Sequence, residues 1–250
     1  MKIKYLFPLL LSQLTTELSA IDYKANLGGF HSSPSGYASD RGYELSFKND
    51  LHWKTSKNIS VGFDLENISD SACVPNISFS AYQIDQVGQG SFTKSIQILD
   101  KSLLAKEYIK SELTQTELAT TIYWNLYNNH NTKLKLGGKL SYLHINLDLD
   151  TASRGLLNTN QNMFLPYLFL GAEYKANERV ELKTELEFTA FATAFMYNAK
   201  VGLNTRLLEL GDTQLHIEVG AKVNAMYNNL FLIVYAPKFY GAYSNIEIRF

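Results

Sequence analysis

Three groups of side chains have the types and spacing for chemistry. His31-Ser32-Ser33 sets an imidazole two residues from a hydroxyl, the beginning of a base–nucleophile pair for acyl transfer or ester hydrolysis. Such a pair works only when a third group, usually an acid, orients the base. None stands nearby in the sequence, so the plainer reading is an exposed polar rim, and no catalytic residue is assigned. His144, Asn146 and Asp148 alternate along the chain and are followed by Asp150, a spacing that puts imidazole and carboxylate on one strand face for chelation or acid–base work. Here the plainer reading is the solvated end of a strand, and no metal ligand is assigned. His216 and Glu218 also share a face and are placed in an internal polar network. His52 and His130, in a loop and a turn, support no assignment. The single cysteine, Cys73, excludes an intramolecular disulfide. No glycine-rich phosphate loop, dinucleotide fingerprint or zinc spacing occurs, and no cofactor is expected. A formal net charge of −1 argues against nucleic acid as a partner.

The elements that must position these groups read as strands. From Thr213 to Asn228, Leu215, Ile217, Val219, Ala221, Val223, Ala225 and Tyr227 share one parity, and Gln214, His216, Glu218, Lys222 and Asn224 share the other. Period two is the strand period, and a run this long exceeds the five or six residues typical of soluble strands. The same alternation marks Ile59–Leu65, Leu118–Leu126, Leu134–Leu140, Val180–Phe188 and Phe195–Leu207, with 21–31, 76–85, 161–175 and 239–250 less regular. Beyond Tyr142 the apolar parity flips to Leu143, Ile145, Leu147 and Leu149, which predicts a bulge or a strand leaving the membrane. Residues 96–110 carry a weak helical pattern through Leu99, Leu103, Leu104 and Tyr108, a candidate loop helix over the barrel mouth. Tyr43, Leu45 and Phe47 alternate too, so 43–53 extends a hairpin or adds strands.

Connections of two lengths follow one another in order. Long segments at 32–58 and 86–111, and medium or modest ones at 150–160, 190–194 and 228–238, interleave with short turns near 69–75, 128–131, 176–178 and 210–212. Residues 1–20 have the basic start, short apolar run and small closing residues of a cleaved secretory signal peptide. The remainder, 21–250, reads as one domain. The prediction is an all-β chain: a transmembrane, antiparallel, up-and-down barrel of about ten strands, with eight or twelve still open, in the outer membrane of a Gram-negative bacterium. Tyr240, Ile246, Ile248 and Phe250 on one face of the last strand read as a C-terminal assembly signal for the barrel-assembly machinery. A soluble sandwich or lipocalin-like barrel, packed the other way round, is the alternative.

Leu27-Gly28-Gly29-Phe30, Leu65-Glu66-Asn67, Val74-Pro75-Asn76-Ile77, Tyr142-Leu143-His144-Ile145, Tyr167–Glu173 and Gly241–Phe250 together resemble a family of proteobacterial outer-membrane β-barrel proteins of about this length, marked by a Gly-Gly pair and without assigned activity. The resemblance implies fold and location and supplies no catalytic residue.

For ten strands the lumen is narrow, and barrels near this size are filled by their own side chains. The inward parity carries Lys24, Lys133, Lys135, Lys139, Lys175, Lys183, Lys200, Arg206, Lys222 and Arg249 against an equal number of acids: Asp22, Asp64, Glu66, Glu117, Glu173, Glu181, Glu185, Glu187, Glu218 and Glu247. Balance predicts a lumen plugged by salt bridges, with Glu181, Lys183, Glu185, Glu187, Lys200, Arg206, His216, Glu218 and Lys222 as its network. A selective, porin-like lumen would carry an excess of one sign. The expected function is therefore non-enzymatic, structural or surface-interacting, through outer loops 32–58 and 86–111. A narrow pore for small or hydrophobic solutes is the alternative, and a lipid-modifying enzyme the weaker one. Outer-membrane lipids and lipopolysaccharide are the expected partners.

Overall fold

The computed structural model describes residues 21–40, 43–67, 74–92, 94–98, 101–153, 155–191, 194–228 and 234–250. The predicted signal segment 1–20 and Cys73 lie outside the described residues. The barrel strands are β1 (Asp22–Asp40), β3 (Ser56–Glu66), β4 (Asn76–Ser91), β7 (Tyr108–Asn128), β8 (Thr132–Thr151), β9 (Gly155–Lys175), β10 (Val180–Phe191), β11 (Ala194–Leu210), β12 (Thr213–Asn228) and β13 (Val234–Arg249). Each pairs antiparallel with its sequence neighbour in the wall, and β13 pairs with β1 from Lys24↔Arg249 to Ser39↔Val234, which closes the sheet. Ten strands make the wall. Between them, β2 (Tyr43–Ser46) folds back on the end of β1, and β5 (Ile96–Ile98) pairs with β6 (Lys101–Leu103) in a small hairpin. Residues 43–53 thus extend a hairpin and add no wall strand.

Closure satisfies every ladder, as hydrocarbon requires. Outward on the strands lie Leu27, Val61, Phe79, Leu118, Ile122, Leu134, Leu140, Leu168, Leu186, Val201, Leu203, Val219 and Ile246, all exposed, forming an apolar belt. Trp124, Tyr127, Tyr174 and Phe250 border it at the short-turn end. At the other end Tyr142 and Phe164 pack ring to ring, 5.1 Å apart. The short turns are locked by side-chain amides: Asn129 Oδ1 accepts the amides of Asn131 and Thr132, and Asn177 Oδ1 those of Arg179 and Val180.

The strands differ in height. β3 and β10 have 11 and 12 residues, close to the nine to eleven that cross a bilayer. β7, β8 and β9 have 20 or 21. That excess raises one side of the long-loop rim by about 20 Å at the usual rise and tilt.

Two sequence expectations are corrected here. The parity flip after Tyr142 is not a bulge, because β8 pairs in register from there to Asp150↔Lys110 and Asp150↔Leu156; of the two expectations, the strand rising out of the apolar belt is the one that fits. Leu143, Ile145, Leu147 and Leu149 point inward on the same parity as Lys135 and Lys139. It is the chemistry of the two faces that exchanges, not the backbone. Among the described residues of 96–110 there is no helix; Leu99 lies outside them. β5 (Ile96–Ile98) pairs with β6 (Lys101–Leu103), Lys106 turns with φ of 67°, and β7 starts at Tyr108. The apolar residues there serve a strand-like division, with Leu103 buried and Leu104 and Tyr108 exposed. Segments 32–58 and 86–111, read as loops, are largely strand for the same reason: above the belt their outward face is polar and the pattern no longer advertises a membrane strand.

Truncation on either side of the flip separates the two environments. Leu143→Ala, emptying a fully enclosed site, is expected to lower stability by about 2–5 kcal/mol. Leu140→Ala, on the lipid face, is expected to cost about 1 kcal/mol or less. Urea unfolding of each variant in lipid vesicles, followed by tryptophan fluorescence, checks the pair; equal losses contradict the inward assignment of Leu143.

Candidate functional site

The site with organised chemistry is the lumen, and it has two layers. Near the short-turn end the inward positions of nearly every strand are charged. Glu66, at the end of β3, meets Lys24 at 2.7 Å, Lys135 at 2.9 Å and Lys133 at 3.6 Å, and accepts the Tyr123 hydroxyl at 2.8 Å. Lys135 also reaches Glu173 at 2.6 Å. Across the barrel Lys183 meets Glu247 at 2.8 Å, and Arg249 bridges Glu247 and Glu181 at 2.5 and 2.9 Å. One level higher Lys139 joins Glu117 and Glu187 at 2.7 and 2.8 Å, and Lys200 joins Glu218 and Glu185 at 3.1 and 3.3 Å. Ser141 donates to Glu117, Asn198 to Glu187 and the Tyr243 hydroxyl to Glu218.

Each of the central lysines also lies over an aromatic ring. Lys135 is 5.0 Å from the Tyr123 centroid, Lys139 5.1 Å from Tyr167, Lys200 5.1 Å from Tyr243, and Lys222 4.8 Å from Tyr82. Tyr243 lies flat because its neighbours across the sheet are Gly220 and Gly202. A Cβ on Gly202 would stand 2.1 Å from the tyrosine oxygen, and one on Gly220 2.8 Å from the ring.

The nine residues predicted as the network divide. Glu181, Lys183, Glu185, Glu187, Lys200 and Glu218 are ion-paired inside the lumen. His216 hydrogen-bonds Asn204 at 2.9 Å and Gln214 at 3.1 Å. Lys222 faces inward against Phe30 and Tyr82, with no carboxylate within ion-pair distance among the described residues. Arg206 does not join the network. It lies opposite His216 at the short-turn mouth, the last position before the register shift to Leu208, and pairs there with Glu209 at 2.7 Å. Sequence reasoning missed the tyrosines and the asymmetry of the interior. The wall of β1, β3 and β4 offers small inward residues, Gly28, Ser60, Gly62, Ser78 and Ser80, and leaves a polar cavity of about 210 Å³ against the charged wall opposite. The alternation of Gly and Ser on the inward parity was the available signal.

Above Tyr82 and Tyr167 the lumen carries no charged layer and is mainly apolar, with one buried polar cluster in which Asn58 and Gln86 both donate to Ser32. Phe30, Ile84, Leu113, Leu143, Leu165, Met196, Met226 and Phe239 are buried from the wall, and Leu45, Phe47, Leu51 and Trp53 enter from the hairpin after β1. Phe47 stacks on Trp53 at 4.4 Å and meets Tyr235 edge-on at 5.5 Å. Trp53 donates its indole N–H to Ser111, which donates to the Leu51 carbonyl. This contact presses the hairpin backbone to Gly88, where a Cβ would stand 1.9 Å from the Leu51 carbonyl. Outside the belt, the Glu107 carboxylate accepts the Ser153 hydroxyl and, at 2.8 Å, its amide. These bonds hold it below the usual carboxylate range and tie the β4–β7 loop to the β8–β9 hairpin.

The other candidates come apart. His31 points outward from β1 and Ser32, its neighbour, is fully buried on the inner side; Ser33 shares the outward face of His31. His144 Nδ1 is 2.6 Å from Asn162, and Asp148 is held by Asn146 and Asn158. Among the described residues no group of three His, Cys, Asp or Glu is placed to hold a metal ion. These side chains belong to a polar outward face above the belt. Its cross-strand rows run Gln83–Thr116–His144–Asn162, Asp85–Thr114–Asn146–Asn160 and Val87–Glu112–Asp148–Asn158. The predicted assembly residues Tyr240, Ile246 and Ile248 on β13, and Phe250 just after it, all lie on the outward parity.

No family model and no curated protein matches the chain, so the resemblance carried by Gly28-Gly29 gains no support there. Among solved structures it is similar to the outer membrane protease OmpT from Escherichia coli, with a TM-score of 0.47, 11% identity and coverage of 95% of this chain and 98% of that one. It is also similar to the transport unit of the autotransporter AIDA-I from Escherichia coli, with a TM-score of 0.40, 8% identity and 95% and 92% covered. A third is Ail, the attachment invasion locus protein of Yersinia pestis, with a TM-score of 0.37, 10% identity and 90% and 99% covered.

The network makes sharply different demands on its acids. Glu66→Ala removes a shared counter-charge from Lys24, Lys133 and Lys135, of which Lys135 keeps Glu173, and is expected to cost about 3–5 kcal/mol. Glu185, partly exposed and held by one 3.3 Å contact, is expected to cost about 1 kcal/mol or less on truncation. Parallel urea titrations decide; a Glu66→Ala barrel as stable as the parent means the lysines are hydrated and the network carries no stability.

Proposed function

We propose that this chain is an integral barrel of the bacterial outer membrane, with its short turns inward and long loops outward, and that it is closed to ions and acts through its outer surface. The observation that carries this is the filled upper lumen. The wall residues Ile84, Leu113, Leu143, Leu165 and Met196, together with Phe47, Leu51 and Trp53 from the hairpin, pack the lumen above the charged layer around the uncharged, mutually hydrogen-bonded Ser32, Asn58 and Gln86, and a close-packed plug without charge does not pass ions. Below it, the polar cavity ends beneath this plug, and the lumenal charges are mostly neutralised by one another rather than weighted to one sign. Non-enzymatic action is supported by the outward and inward division of His31 and Ser32. The outward row Tyr240, Ile246, Ile248 and Phe250 is offered as the strand that the barrel-assembly machinery reads. Residues 1–20 serve as the export signal in this reading.

Single-channel recording tests it. Barrels whose folding is verified by a heat-dependent gel shift are expected to remain silent in a planar bilayer. Stepwise conductance from the parent chain would replace this reading with a narrow pore.

A further inference from the structure

We infer that the raised wall of β4, β7, β8 and β9 docks the saccharide of outer-leaflet glycolipid. The inference rests on the outer-membrane orientation proposed above and names what the outward face meets there. Lipid is already the partner of this surface, since the belt of the same four strands is apolar up to the Tyr142–Phe164 pair. Immediately above that pair the face changes, within one residue step, to amides and hydroxyls. A lipid whose tails pack on the belt necessarily carries its headgroup against this part of the wall. The wall rises about 20 Å beyond the shortest strand, so it meets a headgroup layer that is tall, as linked sugars are.

The chemistry selects sugar over phosphate. The amides of Asn146, Asn158, Asn160 and Asn162 carry donors and acceptors together, the complement of a sugar hydroxyl, with the Asn162 oxygen and the Asn158 nitrogen already engaged within the face. The acids on the same rows, Asp85, Glu112 and Asp148, exceed the cations, and phosphate recognition demands the reverse. Several of the groups are held in place before any ligand arrives: Tyr142 donates to Asn162 at 2.9 Å, and Asn158 donates to Asn146 at 2.9 Å. Ordering them then costs little on binding. A protein partner fits less well, because the three rows lack the apolar centre of a stable interface and every strand edge in them is already paired.

The test uses the full chain in lipid discs made with core-bearing glycolipid or with glycolipid trimmed of its core sugars but keeping the same acyl chains and phosphates. Glycolipid retained per barrel after detergent extraction is read by native mass spectrometry. The parent is expected to retain the core-bearing form about tenfold more strongly, the loss of two or three net hydrogen bonds. The triple variant Asn146→Ala, Asn158→Ala, Asn160→Ala, checked for folding by gel shift, is expected to lose that preference. Equal retention of the two glycolipids, or an unchanged triple variant, overturns the inference. A second readout separates it from the orientation on which it rests: Asn160→Cys in a Cys73→Ser chain is labelled on intact cells by an impermeant maleimide. Labelling without saccharide preference overturns the docking site alone. Preference in discs without labelling overturns the outward orientation.

Discussion

Backbone hydrogen bonding in hydrocarbon is the constraint from which this structure follows. An unpaired N–H or C=O in lipid costs several kcal/mol, so the sheet has to close, and β13 closes it on β1 over almost the whole length of both strands. Closure with ten strands encloses an interior too narrow for bulk water. The charges on the inward parity then lose most of their hydration, and nearly all of them find counter-charges on other strands, Arg249 with Glu247 on its own strand being an exception. Glu66 on β3 meeting lysines from β1 and β8, and Lys183 on β10 meeting Glu247 on β13, are consequences of that narrowness. The tyrosines complete the arrangement, because an ammonium over a ring face keeps part of its stabilisation where a fourth carboxylate has no room.

The same wall is built twice, with opposite chemistry. Through the belt it is apolar outside and charged inside. Above Tyr142 and Phe164 it is polar outside and apolar inside, like a soluble barrel standing on a membrane one. A continuous strand such as β8 passes from one regime to the other without a break in register, Lys139 and Leu143 sharing a parity while Leu140 and His144 share the other. The solvent decides which set is buried: lipid below, water above. The hairpin after β1 is drawn into this upper part, because the taller barrel offers an apolar hollow that only side chains such as Phe47 and Trp53 can fill.

Strand count, parity and the order of long and short connections were legible in the sequence, since period two in runs such as 213–228 is a local property. The heights of the strands were not. Above the belt the apolar parity moves inward, so Leu143–Leu149 imitated a bulge and the upper parts of β1, β4 and β7 imitated loops. Leu103, Leu104 and Tyr108 imitated a helix face because one buried and two exposed positions happened to fall one, four and five residues apart. Ion-pair membership was legible for charges in mid-strand. It failed for Arg206, which stands at the mouth and pairs with Glu209 from the irregular strand end beyond the register shift, and for Lys222, whose partners turned out to be rings.

The distribution of charge also explains why the two layers lie in this order. A salt-bridged layer in contact with water at one mouth can form while the lysines and glutamates are still partly hydrated, whereas an apolar layer at that end would leave the charges stranded between lipid depth and plug. Placing Glu66, Lys135, Glu173 and Arg249 by the short turns keeps the costliest desolvation next to an open cavity, and placing Phe47, Trp53 and Leu143 at the far end puts the seal where the chain has already extended past the bilayer. The seal is therefore built from contacts that water drives together, and the membrane-embedded layer from contacts that need no water to hold.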